Sequence, residues 1–331
     1  MALAHPYLLF LGDAPDALAA KVAQGVRDWR PGASVGQLRL PGCNADMGLP
    51  DMTVAEAQAA GAETLVIGVA NRGGVISEAW QTVLVEALEA GMDVAAGLHT
   101  LLRDQPALVE AAQRTGKKLH DVRLPNRKYP IADGKPRSGK RILAVGTDCS
   151  CGKMYTALAL EKSMRARGMK ADFRATGQTG ILITGEGVPL DAVVADFMAG
   201  AVEVLTPPND DDHWDLIEGQ GSIFHASYSG VTMALIHGGA PDALVLCHEP
   251  TRTHMRGLPH FAVPSLDELR PLALRLAQIV NPDCRVIGCA INTAALDEAA
   301  AEAYLAETEK RLGLPCVDPF RDGADRLVDA L

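Results

Sequence analysis

Arg141-Ile-Leu-Ala-Val-Gly-Thr-Asp-Cys-Ser-Cys-Gly-Lys-Met154 runs from an apolar segment through a glycine-bounded turn into Gly152-Lys153, after which residues up to Arg167 keep a helical period. A strand ending in glycine, a turn, and Gly-Lys opening a helix is the arrangement that holds a phosphate. Backbone N–H groups and the positive end of the helix face the anion, and the lysine adds a point charge. A Gly-Lys pair alone means little, but here it lies between a strand and a helix with Gly146 six residues before Gly152. Gly146, Thr147, Asp148, Cys149, Ser150, Cys151, Gly152, Lys153 and Met154 are therefore expected to bind a phosphate-bearing cofactor. Residues 140–331 are expected to form a parallel α/β domain around them.

Downstream, strands are expected at Ala171–Ala175, Leu216–Glu218, Ala243–Cys247, Val286–Ile291 and Leu314–Val317. Helices are expected at Lys153–Arg167 and near 191–199, 265–279 and 297–312. The connections are long enough for parallel crossovers. Upstream, strands at Tyr7–Leu11, Val35–Leu40, Thr64–Val69 and Asp93–Ala96 alternate with helices at Asp16–Trp29, Val54–Ala60, Glu78–Ala90 and Pro106–Thr115. This predicts a smaller Rossmann-like unit over residues 1–125. Its first strand is followed by Gly12-Asp-Ala-Pro15 rather than a Gly-x-Gly-x-x-Gly fingerprint, so a nucleotide site there is not expected. Between the two units, the Pro-, Gly- and Lys-rich stretch Leu124–Lys140 shows neither period. Residues 126–139 are the expected linker.

Composition narrows the function. The 331 residues are 48% apolar and only 4% aromatic, which suits parallel sheets covered by small-residue helices. The net charge of −10 argues against a nucleic-acid partner. No run approaches the about 20 apolar residues that span a bilayer, and Met1-Ala-Leu-Ala-His-Pro6 lacks a basic leader. A cytoplasmic homo-oligomer acting on a small molecule is expected, with its seven irregularly spaced cysteines reduced.

Met154 refines the chemistry. Nucleotide hydrolases place Ser or Thr there to ligate Mg²⁺, and a thioether is no ligand for a hard cation. Thr156, the next residue but one, could in principle substitute. The loop thus suits a diphosphate that is held rather than hydrolysed, as in coenzyme A.

Gly146-Thr-Asp-x-x-x-Gly-Lys153 resembles the phosphate loop of dethiobiotin synthetase and cobyrinic-acid amidases. The wider set is Gly146–Met154, Arg174–Gly180, Asp196-Phe197 with Gly200 and Glu203, Ile217–Ser222 with His225, Pro241–His248 and Ala70–Gly74. It resembles the bacterial family catalogued as domain of unknown function 1611. That resemblance covers nearly the whole chain and implies an acetyltransferase moving acetyl from acetyl-CoA to the amine of D-glutamate.

Ligands of doubly wound sheets sit at the carboxyl ends of the strands. There Glu218, His225 and His248 are the candidate catalytic groups, with Glu218 the first choice to take a proton from the attacking ammonium. Arg72, Arg174, Thr176, Gln178, Gln220 and Arg252 are the candidate substrate-binding groups, and Arg256 is a further anion ligand. His248 and His254 lack zinc-ligand spacing, and Asn209–His213 reads as a solvated acidic loop, so no metal is expected. Cys149 and Cys151 lie near a helix N-terminus, where a thiolate nucleophile is conceivable. A bound diphosphate disfavours it. Two other readings remain at this stage: an ATP- and Mg²⁺-dependent ligase or kinase of dethiobiotin synthetase type, and a nucleotide-responsive regulator.

Overall fold

The computed structural model describes all residues except 1, 2, 18, 71–73 and 126. The chain divides into two compact units, one of residues 1–126 with 177–192, the other of 127–176 with 193–331.

The first unit is a five-stranded parallel sheet in the order β2-β1-β3-β4-β5. Its strands are β1 (Tyr7–Gly12), β2 (Ser34–Arg39), β3 (Thr64–Ile67), β4 (Asp93–Ala96) and β5 (Leu119–Asp121). Every residue of β1 is buried, because a parallel sheet is covered by helices on both faces. The helices are α1 (Lys21–Trp29), α2 (Val54–Ala59), α3 (Glu78–Glu89) and α4 (Pro106–Thr115). Their starts follow local chemistry: Thr53 and Glu56 form a capping box for α2, Ser77 caps α3, and Pro106 opens α4.

The second unit is a six-stranded parallel sheet in the order β13-β12-β9-β6-β8-β7. It comprises β6 (Lys140–Gly146), β7 (Ala171–Arg174), β8 (Trp214–Ile217), β9 (Ala243–His248), β12 (Arg285–Ile291) and β13 (Cys316–Val317). Its helices are α5 (Lys153–Ala166), α7 (Ala195–Leu205), α8 (Ser229–Gly239), α9 (Leu266–Val280), α10 (Glu298–Leu312) and the short α11 (Asp325–Val328). A hairpin of β10 (His254–Met255) and β11 (Leu258–Ala262) follows β9. The chain runs outward from β6 to β7 and returns through β8. It then crosses to β9, so the strand order reverses at β6 and opens a crevice at its carboxyl end.

Two features differ from the expected organisation. Helix α6 (Gln178–Thr184) follows β7 in sequence but belongs to the first unit, where its residues lie beside α1 and β4. Of the expected linker 126–139, residues 133, 134 and 137 are bound to the second unit. Glu203 of α7 accepts from the N–H groups of Asp133 and Gly134, and Arg137 donates to Thr206 O (3.0 Å) and Gly238 O (2.7 Å). An arginine reaching carbonyls at the ends of α7 and α8 satisfies groups those helices leave open. No described helix is long and apolar enough to cross a membrane.

Candidate active site

The phosphate loop starts where β6 ends, between β8 and β9. Gly146 is required by packing, since a β-carbon there would stand 2.4 Å from the Cys151 sulfur. Ser150 and Gly152 take left-handed φ angles of 53° and 105°. Alternation of handedness turns successive N–H groups to one side as an anion-binding concavity. Among the described residues, the N–H groups of Cys149, Ser150, Cys151 and Gly152 make no hydrogen bond within the protein. Helix α5 opens on Gly152 with no side-chain cap, so its first N–H groups face the same hollow. Buried Lys153 has its Nζ 2.7 Å from Asp148 O.

The loop is braced from outside. Asp148 is 1% exposed, and its Oδ2 accepts from Arg252 Nη1 (2.6 Å) and Arg256 N (2.9 Å). Arg252 also donates to Cys149 O (2.6 Å) and Ser150 O (3.3 Å) and pairs with Glu249 at 3.3 Å. These bonds hold loop carbonyls outward and so leave the amides inward. Arg252, expected at the substrate, is thus spent on the loop itself. Arg256 bonds Ser150 Oγ through Nη1 at 2.5 Å and is otherwise exposed.

The remaining loop residues have distinct tasks. Thr147 is fully buried, its N–H on Cys247 O (3.0 Å), its hydroxyl 2.9 Å from His248 Nδ1 and its carbonyl accepting from Ser222 Oγ (3.0 Å). Buried Cys151 gives its thiol to Asp148 O at 3.1 Å. Half-buried Cys149 has its thiol pKa raised, chiefly by burial, although Lys153 pulls it down. Half-buried Met154 occupies the place of the absent metal-ligating hydroxyl. Thr156 does not replace it: its hydroxyl donates to Gly152 O (3.0 Å) and lies 3.4 Å from the Cys247 sulfur.

On the β8 side, Glu218 is 5% exposed, its Oε2 accepting from Thr176 N (2.8 Å) while its carbonyl accepts from Thr176 Oγ1 (2.8 Å). Thr176 is itself fully buried, so both of its polar handles serve Glu218 and neither is presented to a substrate. The Gln220 amide closes on Thr176 O and, at 3.1 Å, on Thr176 Oγ1. Gly219 lies against the strand, since a β-carbon there would be 1.7 Å from Ala144 O and 2.9 Å from Lys153 Cδ. Its missing side chain is what lets the β8 loop approach the lysine.

His225 is buried and fully bonded. Its Nδ1 accepts from Ser227 N (3.2 Å), which assigns the proton to Nε2, donated to Arg256 O at 3.1 Å. Neither nitrogen is left to act as a base. Asp148, Cys149 and His225 each place one potential ligand atom within 4.8 Å of the others. A cation taking a His225 nitrogen there would have to break one of that ring's two hydrogen bonds.

On the β9 side, His248 is half-buried, with its ring stacked 6.3 Å from Tyr304. Burial, aided by Arg311 and Arg252 and opposed by Glu249, holds its pKa below the usual imidazole value. Among the described residues its Nε2 has no partner.

Two expected substrate ligands have partners within their own units. Arg174 bonds Asp215 at 2.6 Å and approaches Asp172 at 3.7 Å, pairing inside its own sheet rather than facing an acceptor. Gln178 stands in the first unit, its amide between Gly97 O and Arg123 Nη1, accepting from the latter at 3.3 Å. Arg72 lies outside the described residues. Sequence reasoning gave no role to Ser222, whose hydroxyl ties the β8 loop to Thr147. The Gly219-Gln-Gly-Ser222 spacing was its only signal.

Residues 38–125 match the Rossmann-like domain, and residues 130–328 the P-loop domain, of the domain of unknown function DUF1611. A D-glutamate N-acetyltransferase of Tritonibacter scottomollicae is 71% identical over 98% of each chain. A protein of the same name from a Pseudoalteromonas species is 46% identical over 99% of each. The crystal structure of a DUF1611 family protein from Anabaena variabilis superposes with a TM-score of 0.88 at 36% identity, covering 99% of each chain. With a Rossmann-like unit and a P-loop unit matched in order along its length, the chain belongs to the DUF1611 family.

Proposed function

We propose that the protein is an N-acetyltransferase that moves acetyl from acetyl-CoA to the amine of D-glutamate, with coenzyme A held by its diphosphate in the Cys149–Lys153 hollow. The observation that carries this reading is a phosphate loop with open amides and a buried lysine but no hydroxyl placed for a metal. The names of the two relatives, one of them 71% identical, supply the acyl group and the acceptor.

The chemistry follows from the groups at hand. An ammonium must lose its proton before nitrogen can attack the thioester carbonyl. The C–N bond then forms, the C–S bond breaks, and the departing thiolate takes a proton. A neutral imidazole is a competent acceptor at neutral pH. His248, with its depressed pKa and unpartnered Nε2, is the base this reading favours. Glu218 keeps the β7 and β8 loops in register through Thr176. The raised Cys149 thiol and the back-bonded Cys151 favour direct attack over an acetyl-enzyme.

The test follows free thiol in the presence of acetyl-CoA with D- or L-glutamate, and ADP in the presence of ATP and Mg²⁺. Thiol release that depends on D-glutamate is expected, with negligible ADP. Turnover of ATP at an enzyme-like rate without acetyl transfer would overturn the proposal in favour of a ligase.

A further inference from the structure

We propose that Phe320, Tyr155 and Asn292 form an adenine subsite beside the phosphate loop, on which the base of the acyl donor stacks. The inference rests on the reading of coenzyme A as that donor and adds where its nucleobase binds.

Three observations converge. Phe320 is 63% exposed, although a phenyl ring is normally buried. Among the described residues its ring neighbour is half-buried Tyr155, at a centroid distance of 5.7 Å and tilted 50°. Tyr155 is in the first turn of α5, two residues after Lys153, so the ring pair is mounted on the helix that opens at the anion hollow.

The exposed ring is also rigidly mounted. Buried Asp318 accepts from the N–H groups of Phe320 (2.9 Å) and Arg321 (3.3 Å) through Oδ1. Through Oδ2 it holds Thr293 N (2.9 Å) and Thr293 Oγ1 (2.5 Å) in the loop after β12. Arg321 adds bonds to Thr293 O (3.2 Å) and Leu296 O (2.9 Å). A loop fixed by this many bonds to present a ring to solvent has the form of a preorganised platform.

Asn292 supplies the polar edge. It is half-buried at the end of β12, its N–H on His248 O (2.8 Å), and its Cβ lies 3.8 Å from where a β-carbon on Gly152 would be. Its Oδ1 accepts from Ala294 N at 3.2 Å, and among the described residues its Nδ2 has no partner. An amide donor next to a diphosphate cradle, one residue from the Thr293 that Asp318 ties to the Phe320 loop, suits a purine whose ring nitrogens accept hydrogen bonds.

The test compares acetyl-CoA with S-acetylpantetheine, which carries the same thioester but neither adenosine nor diphosphate. Base stacking on an aromatic side chain predicts that Phe320→Ala raises KM for acetyl-CoA by about five- to a hundredfold. KM for S-acetylpantetheine and the melting temperature should not move, and Phe320→Trp should restore acetyl-CoA binding. Phe320→Ala with KM for acetyl-CoA within about twofold of wild type, or with both thioesters weakened equally, would overturn the subsite. Isothermal titration of the wild type with acetyl-CoA separates the two levels. Binding that Phe320→Ala leaves unchanged refutes the platform alone, whereas no binding to the wild type refutes the donor and the subsite together.

Discussion

Replacing Arg252 by Ala separates two roles that its sequence position left joined. The guanidinium bonds Asp148 at 2.6 Å, and the side chains of Arg252 and Asp148 are 21% and 1% exposed. The other oxygen of that carboxylate, Oδ1, is buried with no partner among the described residues. Removing the arginine therefore leaves a buried carboxylate held only by Arg256 N–H, and frees the carbonyls of Cys149 and Ser150 to turn inward. Breaking a buried pair by deleting one partner costs roughly 3–5 kcal/mol, and partial exposure of Arg252 places the expectation near the lower end, about 3 kcal/mol. The cost must depend on Asp148. In an Asp148→Asn background the same substitution should cost at least about 1 kcal/mol less, a coupling measurable by urea denaturation of the four proteins of a double-mutant cycle. A brace also predicts that both substrates bind more weakly, because the loop itself is deformed. If Arg252→Ala instead left stability within about 0.5 kcal/mol of wild type and raised KM for glutamate alone, the arginine would be a substrate clamp and this account of the loop would be refuted.

Other substitutions probe the loop and its flanks. Lys153→Ala should abolish most of the rise in melting temperature that coenzyme A produces, because a ligand stabilises only the form that binds it. Equal protection of both proteins would place the diphosphate elsewhere. Gly219→Ala would press a methyl group to 1.7 Å from Ala144 O, so a loss of at least about 2 kcal/mol in stability is expected from overpacking against backbone; wild-type denaturation would contradict that contact. Replacing Cys149 and Cys151 together by Ser should keep a substantial fraction of kcat with ternary-complex kinetics, and an acetylated cysteine detected by mass spectrometry without acceptor would contradict direct attack. Burial lowers the His248 pKa, so below its unfolded value the unfolded chain takes up a proton that the native site resists. His248→Gln should therefore lose less stability than wild type between neutral pH and pH 5, and should flatten the acidic limb of the rate profile; parallel curves would remove His248 from both roles.

The central strands were legible because their runs are mostly apolar, as burial on both faces demands; β1 and β6 begin or end within a residue or two of where the pattern puts them. Helix α8 was not among the expected helices. It ends on Gly238 and Gly239, and a β-carbon on Gly238 would stand 2.2 Å from Ala199 O, so a residue that weakens the helix is one that lets it pack on α7. Short β5 carries too few residues to show a period. The assignment of α6 to the first unit and the fastening of residues 133, 134 and 137 depend on partners about 70 or more positions away, as with Arg137 and Gly238. No local pattern encodes such contacts. For the same reason the loop at 146–154 could be read as a phosphate cradle, while the partners of Arg174, Thr176 and Arg252 could not.

What the loop asks of its ligand follows from its charges. Arg252 is matched by Asp148 and Glu249, which leaves Lys153, the open amides and the outer face of Arg256 to meet an anion. A triphosphate ends in a doubly charged group, and enzymes that act on it add Mg²⁺ held by a hydroxyl at the start of the helix. Here that position is Met154, and the nearest alternative, the Thr156 hydroxyl, is turned to Gly152 O and the Cys247 sulfur. A diphosphate diester carries a single charge per phosphate and undergoes no bond change at phosphorus, so it needs neither the metal nor the additional cation. The loop keeps the backbone geometry that binds phosphate while lacking the group that would activate it; on the proposed reading the chemistry lies at the far end of the cofactor, where a thioester meets an amine.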